Sequence, residues 1–265
     1  MRQIPFFNYP ALFARDESEL MAIVHDVLRR GAYVMQKDLT QFEEHLAGYL
    51  GVKHAIGVAD GTIALIMGLR AAGIGPGDEV IVPSHTFVAS AASIHHVGAK
   101  PVLADCARDH LIDSASIKKL INPRTRGIMP VQLNGRTANM DPICALADQH
   151  GLKIVEDSAQ ALGSKFKGRF AGTFGVAGTC SFYPSKTLGC FGDGGAVFTN
   201  DDEVADYVRL LRDHGRGPTG DVIDWGYNSR LDNLQAAILD FKLKTYDQAI
   251  ARRREIAMMY DERLR

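Results

Sequence analysis

Residues 154–200, IVEDSAQALGSKFKGRFAGTFGVAGTCSFYPSKTLGCFGDGGAVFTN, decide how the rest of the chain is read. Two strand-like pieces, IVED and TCSFY, each end on polar or charged groups, and a third, AVFTN, follows a glycine cluster. Asp157 closes the first strand, and Lys186 lies just past the second, in a loop crowded with Gly, Ser and Pro. In open α/β sheets ligands bind beyond the carboxyl ends of strands. A carboxylate and a lysine delivered there together point to a site rather than to a solvated surface. The competing reading makes Asp157 a turn cap and Lys186 a surface lysine.

One chemistry that needs such a pair is a lysine amine forming a Schiff base with an aldehyde cofactor, of which pyridoxal phosphate is the commonest. That cofactor also requires an acid against its ring nitrogen, so that the protonated ring withdraws electrons. Asp157 and Lys186 supply both groups.

The surrounding pattern favours the site. EDSAQALGSKFKGRFAGTFGVAGTCSFYPSKTLGCFGDGGAVFTND resembles the core of the DegT/StrS family of pyridoxal-phosphate-dependent nucleotide-sugar aminotransferases. The resemblance continues through FEEHLAGYLGVKHAIGVADGT, GIGPGDEVIVPSHTFVAS, GAKPVLADC, WGYNSRLDNLQAAIL and RRREIAMMYDERL, in order, over about residues 30 to 265. It implies a fold-type I (aspartate-aminotransferase-like) large domain of α/β class, with a mostly parallel central sheet covered by helices on both faces. Residues 1–240 would form the cofactor-binding large domain, including the helices of residues 1–50. Residues 241–265 would be a long helix leading towards a small C-terminal domain absent from the chain.

Composition agrees with a globular enzyme. The 265 residues hold 46% hydrophobic and 23% charged side chains, typical of a chain with a sizeable core. Net charge is −1, from 30 basic and 31 acidic residues, so no nucleic-acid partner is expected. The triplet Arg252–Arg253–Arg254 shares its helix with Glu255, Asp261 and Glu262 and reads as a solvated face. Cys106, Cys144, Cys180 and Cys190 form no C-x-x-C pair and suit a reducing compartment. The first residues, MRQIPFFNYP, lack a signal-peptide core, and no apolar run approaches the roughly 18 residues that span a bilayer, so the expected location is cytoplasmic. His95 and His96 are adjacent and point apart on a helix, His85 stands alone, and no metal set is expected.

Along the chain, an extended lead precedes two helices. Asp16 is the N-cap of the first, with Leu20, Ile23, Val24, Val27 and Leu28 at helical spacing and Gly31 as its stop. Phe42, Leu46, Tyr49 and Leu50 mark the second, stopped by Gly51. HAIGVADGTIALIMGLRAAG reads as strand, tight turn and a helix over about 62–72, apolar on nearly every face. Its amino end, with Gly61 for close approach and Thr62 for a hydroxyl, suits an anion, while Asp60 reads as an N-cap. Strands then alternate with helices (EVIVP, PVLAD, GIMPVQL, IVED), the pattern of a largely parallel sheet. Phe87, at a strand end, reads as a core residue or as a ring that stacks on a ligand. The glycines of GDGG (Gly192, Gly194, Gly195) provide close approach or turn formation.

The resemblance assigns further roles. It places Gly61, Thr62 and Ser181 at the cofactor phosphate, Phe87 on the ring face, and Gln160 as donor to the ring hydroxyl. It makes Lys186 the Schiff-base lysine and proton carrier, and Asp157 the ring-nitrogen partner. Asn228 would reach the phosphate of a neighbouring subunit, making a homodimer with shared sites. The implied reaction moves an amino group from an amino acid, L-glutamate, to the keto sugar of a nucleotide-sugar, in amino-sugar, polysaccharide or natural-product biosynthesis. Some positions depart from the family: VQLNG carries Gln132 and Asn134 where relatives have V-H-L-Y-G. AQALG has Leu162 in a histidine's place, and Gln36-Lys37 replaces a frequent Gly-Pro. Alternatives are a related sugar dehydratase, whose relatives commonly replace the lysine with histidine, and a non-catalytic dimerisation or regulatory fragment. A nicotinamide-dependent oxidoreductase would need G-x-G-x-x-G, which VADGT does not match.

Overall fold

A computed structural model describes residues 3–264. Its centre is a seven-stranded sheet built from β1 (His54–Val58), β2 (Glu79–Pro83), β3 (Lys100–Ala104), β4 (Thr125–Ile128), β5 (Lys153–Asp157), β8 (Ala177–Ser181) and β9 (Gly195–Thr199), in the order β1-β9-β8-β5-β4-β2-β3. The run from β3 to β8 is parallel, and β9 is antiparallel to both β8 and β1. The expected mostly parallel sheet is present, with β9 as its antiparallel member. Because β1 is reversed relative to β9, it runs with β8, so six strands deliver their carboxyl ends to one edge.

Residues alternate between the faces of each strand, and both faces are covered. Ile56, Val58 and Val197 join a core with α4 (Gly61–Ala71), α7 (Met140–His150) and α8 (Asp202–Arg212). Ala55, Ala196 and Phe198 face a second core with α3 (Lys37–Leu50) and α9 (Asn233–Leu243). α4 is buried from Ala64 to Leu69, which explains why its sequence is apolar all round. A part-buried ion pair, Arg212–Glu43, ties α8 to α3 and brackets the Gly57 peptide: Gly57 N–H donates to Glu43 Oε1 at 2.7 Å and its carbonyl accepts from Arg212 Nη1 at 3.0 Å.

The two leading helices are α2 (Glu17–Arg30), with Asp16 at its N-cap position, and α3. Gly31 and Gly51 end them in the left-handed region, at φ +62° and +68°. The expected extended lead contains a short helix, α1 (Tyr9–Arg15), whose Asn8 side chain accepts from Ala11 N–H at 3.3 Å. The sequence SKFKGRF forms a small hairpin, β6 (Lys165–Phe166) with β7 (Arg169–Phe170). α5 (Val88–His96) and α6 (Ser114–Leu120) complete the crossovers. In α10 (Tyr246–Arg263) Tyr246 is the one buried residue. Among the described residues no helix is long and apolar enough to cross a membrane.

Candidate active site

Four segments that leave parallel strands meet at the carboxyl edge. After β1 come Asp60, Gly61 and Thr62; after β2, Thr86 and Phe87; after β5, Asp157 and Gln160; after β8, Ser181 and Lys186. Seven of the eight residues expected at the site therefore share one edge of the sheet, drawn from positions more than a hundred residues apart in sequence.

Asp157 is 6% exposed. Its Oδ2 accepts from Ser90 Oγ at 2.7 Å and its Oδ1 from Ala159 N–H at 3.1 Å. An ionised carboxylate has about four acceptor positions, so two remain open. Burial pushes its pKa above the ordinary carboxylate range, while Ser90, Ala159 and the Lys186 ammonium pull it down. Lys186 belongs to a tight turn in which its N–H donates to Tyr183 O at 2.8 Å. Among the described residues its half-buried amine makes no hydrogen bond or ion pair. Cys180, beneath it on β8, is buried and its thiol is pushed up to about 12, chiefly by desolvation.

The lysine loop is clamped from α9 and α10, which sequence reasoning missed. Gln235 holds both polar groups of the Phe191 backbone, accepting from N–H at 2.8 Å and donating to the carbonyl at 3.1 Å. Lys242 donates to Gly189 O at 2.6 Å and lies 4.3 Å from the Phe191 ring centroid. Tyr246 Oη donates to Leu162 O at 2.9 Å, so Thr187, 2.6 Å away, is the donor to Tyr246. These contacts span 44 to 84 residues and carry no local sequence signal.

The turn after β1 is as tight as its glycine suggests. A Cβ on Gly61 would lie 2.7 Å from Ser181 Cβ, and one on Gly195 would lie 2.4 Å from Asp60 O. Close approach is thus what Gly195 of GDGG provides. Asp60 caps α4 as expected, but it occupies the Thr62 and Ile63 N–H groups at 2.8 and 2.9 Å. The donors left at this helix end are the Gly61 N–H and the Thr62 hydroxyl, with Ser181 Oγ beside them. Ser181 Oγ itself accepts from Tyr183 N–H at 3.3 Å.

Phe87 is 67% exposed at the N-cap position of α5, which sets aside its reading as a core residue. Gln160 is oriented by Asn134 N–H, which its Oε1 accepts at 3.2 Å, leaving its amide NH₂ free to donate. The departing residue Asn134 has φ +54° and precedes Gly135 at +74°, so this turn is built on the Gln160 contacts. Gln132 is wholly buried, donating to Glu156 at 2.8 Å and accepting from Ala138 N–H at 2.7 Å, and so belongs to the interior. Asn228 comes from none of these strand ends, although the next residue, Ser229, accepts from Ala59 N–H at 3.2 Å. Asn228 lies in the 213–230 loop and its Oδ1 accepts from Arg230, which also pairs with Asp213 at 2.7 Å. Among the described residues no three His, Cys, Asp or Glu groups converge on a possible metal position.

A carboxyl edge with a partner-free lysine, a buried acid with acceptor capacity to spare and a hydroxyl-lined helix end defines a cofactor-dependent α/β transferase, and the residues fit pyridoxal phosphate. The family model for the DegT/DnrJ/EryC1/StrS aminotransferases matches residues 14–265, and the chain belongs to that family. It is 44% identical over 259 residues to the dTDP-3-amino-3,4,6-trideoxy-alpha-D-glucose transaminase of Streptomyces venezuelae, covering 97% of this chain and 68% of that one. Identity to the UDP-2-acetamido-2-deoxy-3-oxo-D-glucuronate aminotransferase of Pseudomonas aeruginosa is 42%, over 97% of this chain and 72% of the other. The crystal structure of S. venezuelae DesV in complex with a ketimine intermediate superposes with TM-score 0.91 at 45% identity, over 94% of this chain and 67% of that one. The fold is therefore the α/β fold of the pyridoxal-phosphate aminotransferases, and pyridoxal phosphate is the cofactor of the family.

Proposed function

We propose that this chain transfers an amino group from an amino acid, L-glutamate, to the keto sugar of a nucleotide-sugar. The observation that carries the reading is the pairing of Asp157, buried with two acceptor positions open, with the Lys186 amine, half-buried and without a partner. The names of the relatives supply the substrate class.

Pyridoxal phosphate, when bound, supplies an electron-withdrawing ring that makes the C–H beside a bound nitrogen acidic. The chain supplies the rest. Lys186 Nζ would hold the cofactor and, as a free amine, would take and return a proton. Asp157 keeps the ring nitrogen protonated through a charge-assisted hydrogen bond at one of its open positions. Thr62, Ser181 and the Gly61 N–H bind the phosphate, Gln160 donates to the ring hydroxyl, and Phe87 shields one ring face from water. Retention of Lys186 favours transamination over the dehydratase reading.

We further propose a homodimer in which Asn228 serves the partner's site. The exposed Val222, Ile223 and Trp225 of the same loop (66%, 66% and 86% exposed) support this. Residues 1–240 would be the cofactor-binding domain, with α10 leading away from it, and four unpaired cysteines suit the cytoplasm.

The test is to add pyridoxal phosphate to the purified chain, record the visible spectrum, reduce with borohydride and map the labelled peptide. The expected result is a yellow protein, bleached by L-glutamate, with the label on Lys186. A label elsewhere, or none, overturns the assignment. A panel of keto nucleotide-sugars then identifies the acceptor.

A further inference from the structure

A chain of two hydroxyls leads to the back of Asp157. Ser90, wholly buried on α5, sits 2.7 Å from Asp157 Oδ2, and Thr86 Oγ1 sits 2.7 Å from Ser90 Oγ. An ionised carboxylate only accepts, so the single Ser90 proton points at Asp157. Thr86 must then donate to Ser90. Both dipoles aim the same way, and each such bond polarises the next. Ser93 Oγ donates to Ser90 O at 2.8 Å and fixes the turn of helix that carries the relay.

We infer that Ser90, backed by Thr86, is a positioning residue that keeps Asp157 ionised and turned towards the site. The inference rests on the reading of Asp157 as partner of the cofactor ring nitrogen. Without Ser90, a carboxylate this buried would retain one donor, the Ala159 N–H, against the full cost of burial. Two further titratable groups face Asp157. The Lys186 ammonium draws its pKa down, and the Cys180 thiol, pushed up to about 12, stays neutral in the working range. Glu156, next along β5, points to the other face, where its partners are Gln132, Gly172, Phe174 and Gly175.

The sign of the pH effect follows. Asp157 has a raised folded pKa, so the stability linked to it is full below the unfolded carboxylate pKa and falls as pH rises through the folded value. Removing a donor to the charged form raises the folded pKa further. The cost of Ser90→Ala should therefore be small in acid, grow through the titration of Asp157, and level off above it.

The experiment compares unfolding midpoints of the cofactor-free chain, with and without Ser90→Ala, from about pH 4 to about pH 8, in the native and Asp157→Asn backgrounds. The expected result is a cost that grows with pH in the native background and is flat in Asp157→Asn. Ser90→Thr keeps the hydroxyl and should give a flat cost, whatever its extra methyl does to packing. With cofactor added, Ser90→Ala should weaken its binding about tenfold, as expected for loss of a hydrogen bond to a charged group, and Thr86→Val less. A pH-independent cost for Ser90→Ala, or an equal pH dependence in both backgrounds, overturns the relay. Cofactor binding and transamination unchanged in Asp157→Asn would instead overturn the role of Asp157, and is read separately from the relay.

Discussion

Glu156 and Asp157 are consecutive, both buried and both carboxylates, yet the two faces of β5 use them in opposite ways. Glu156 Oε1 accepts from Phe174 and Gly175 N–H at 2.6 and 3.2 Å, and its Oε2 from Gln132 Nε2 and Gly172 N–H at 2.8 and 2.9 Å. All four acceptor positions are filled, by donors alone. Burial pushes its pKa up and the donors push it down, but a proton on this carboxyl would face an N–H in every direction. Glu156 is thus an ionised staple that binds the 172–175 loop to the sheet. Asp157 has half its capacity unspent. A saturated buried carboxylate organises structure, and an unsaturated one awaits a donor from outside the fold.

Breaking the staple should have the largest effect. Glu156→Ala leaves three backbone N–H groups and the Gln132 amide without an acceptor in the interior, and should cost about 3–5 kcal/mol in denaturant unfolding. Glu156→Gln should recover little of this, because its NH₂ would face two N–H donors. Full stability of Glu156→Gln would mean that the site is not a closed set of donors.

The same exchange next door should spare the fold. In Asp157→Asn the amide oxygen can keep the Ala159 N–H while the NH₂ donates to Ser90, whose hydroxyl rotates to Thr86. Unfolding should change by less than about 1 kcal/mol, while transamination falls about 10²–10³-fold for want of a charged partner at the ring nitrogen. A large loss of stability with unchanged turnover per folded molecule would reverse the roles assigned to the two carboxylates.

Gly61→Ala probes the other end of the site. Its Cβ would stand 2.7 Å from Ser181 Cβ, between two ordered backbone segments, so overpacking should cost about 1–3 kcal/mol and move the Ser181 hydroxyl. Cofactor affinity should fall with it. A Gly61→Ala protein of native stability would show that the turn and β8 have room to separate.

What could be read in advance follows the range of the interactions. The strands, Asp60, Gly31, Gly51 and the Asp157–Lys186 pair have local signatures: apolar runs, caps and charged residues at strand ends. Gly61 and Ser181, 120 residues apart, became neighbours in the reading through their motifs alone. The Ser90 contact with Asp157 spans 67 residues, and the Gln235, Lys242 and Tyr246 clamps depend on where α9 and α10 dock. Nothing in a serine among small residues announces a carboxylate partner. The β6–β7 hairpin was hidden because each strand is two residues long, too short to show alternation. Phe87 was ambiguous for a related reason: an aromatic after an apolar strand has the same sequence context whether it turns inward or outward.

Its 67% exposure makes Phe87 the mildest and cleanest probe of the contrast between residues that hold the fold and residues that wait for a ligand. A core phenylalanine truncated to alanine costs about 3–5 kcal/mol. Phe87 has little contact to lose, so Phe87→Ala should change unfolding by no more than about 0.5 kcal/mol. Against a bound ring the side chain would contribute about 0.5–1.5 kcal/mol by stacking, which corresponds to a weakening of cofactor binding of roughly twofold to tenfold. Phe87→Tyr and Phe87→Trp keep the ring face and should restore affinity, whereas Phe87→Leu, similar in apolar area, should not. Fluorescence titration of the four variants with pyridoxal phosphate separates the outcomes. If Leu binds as well as Tyr, the residue acts by covering apolar surface and not by stacking. If Ala binds as well as Phe, the exposed ring belongs to a surface other than the cofactor's.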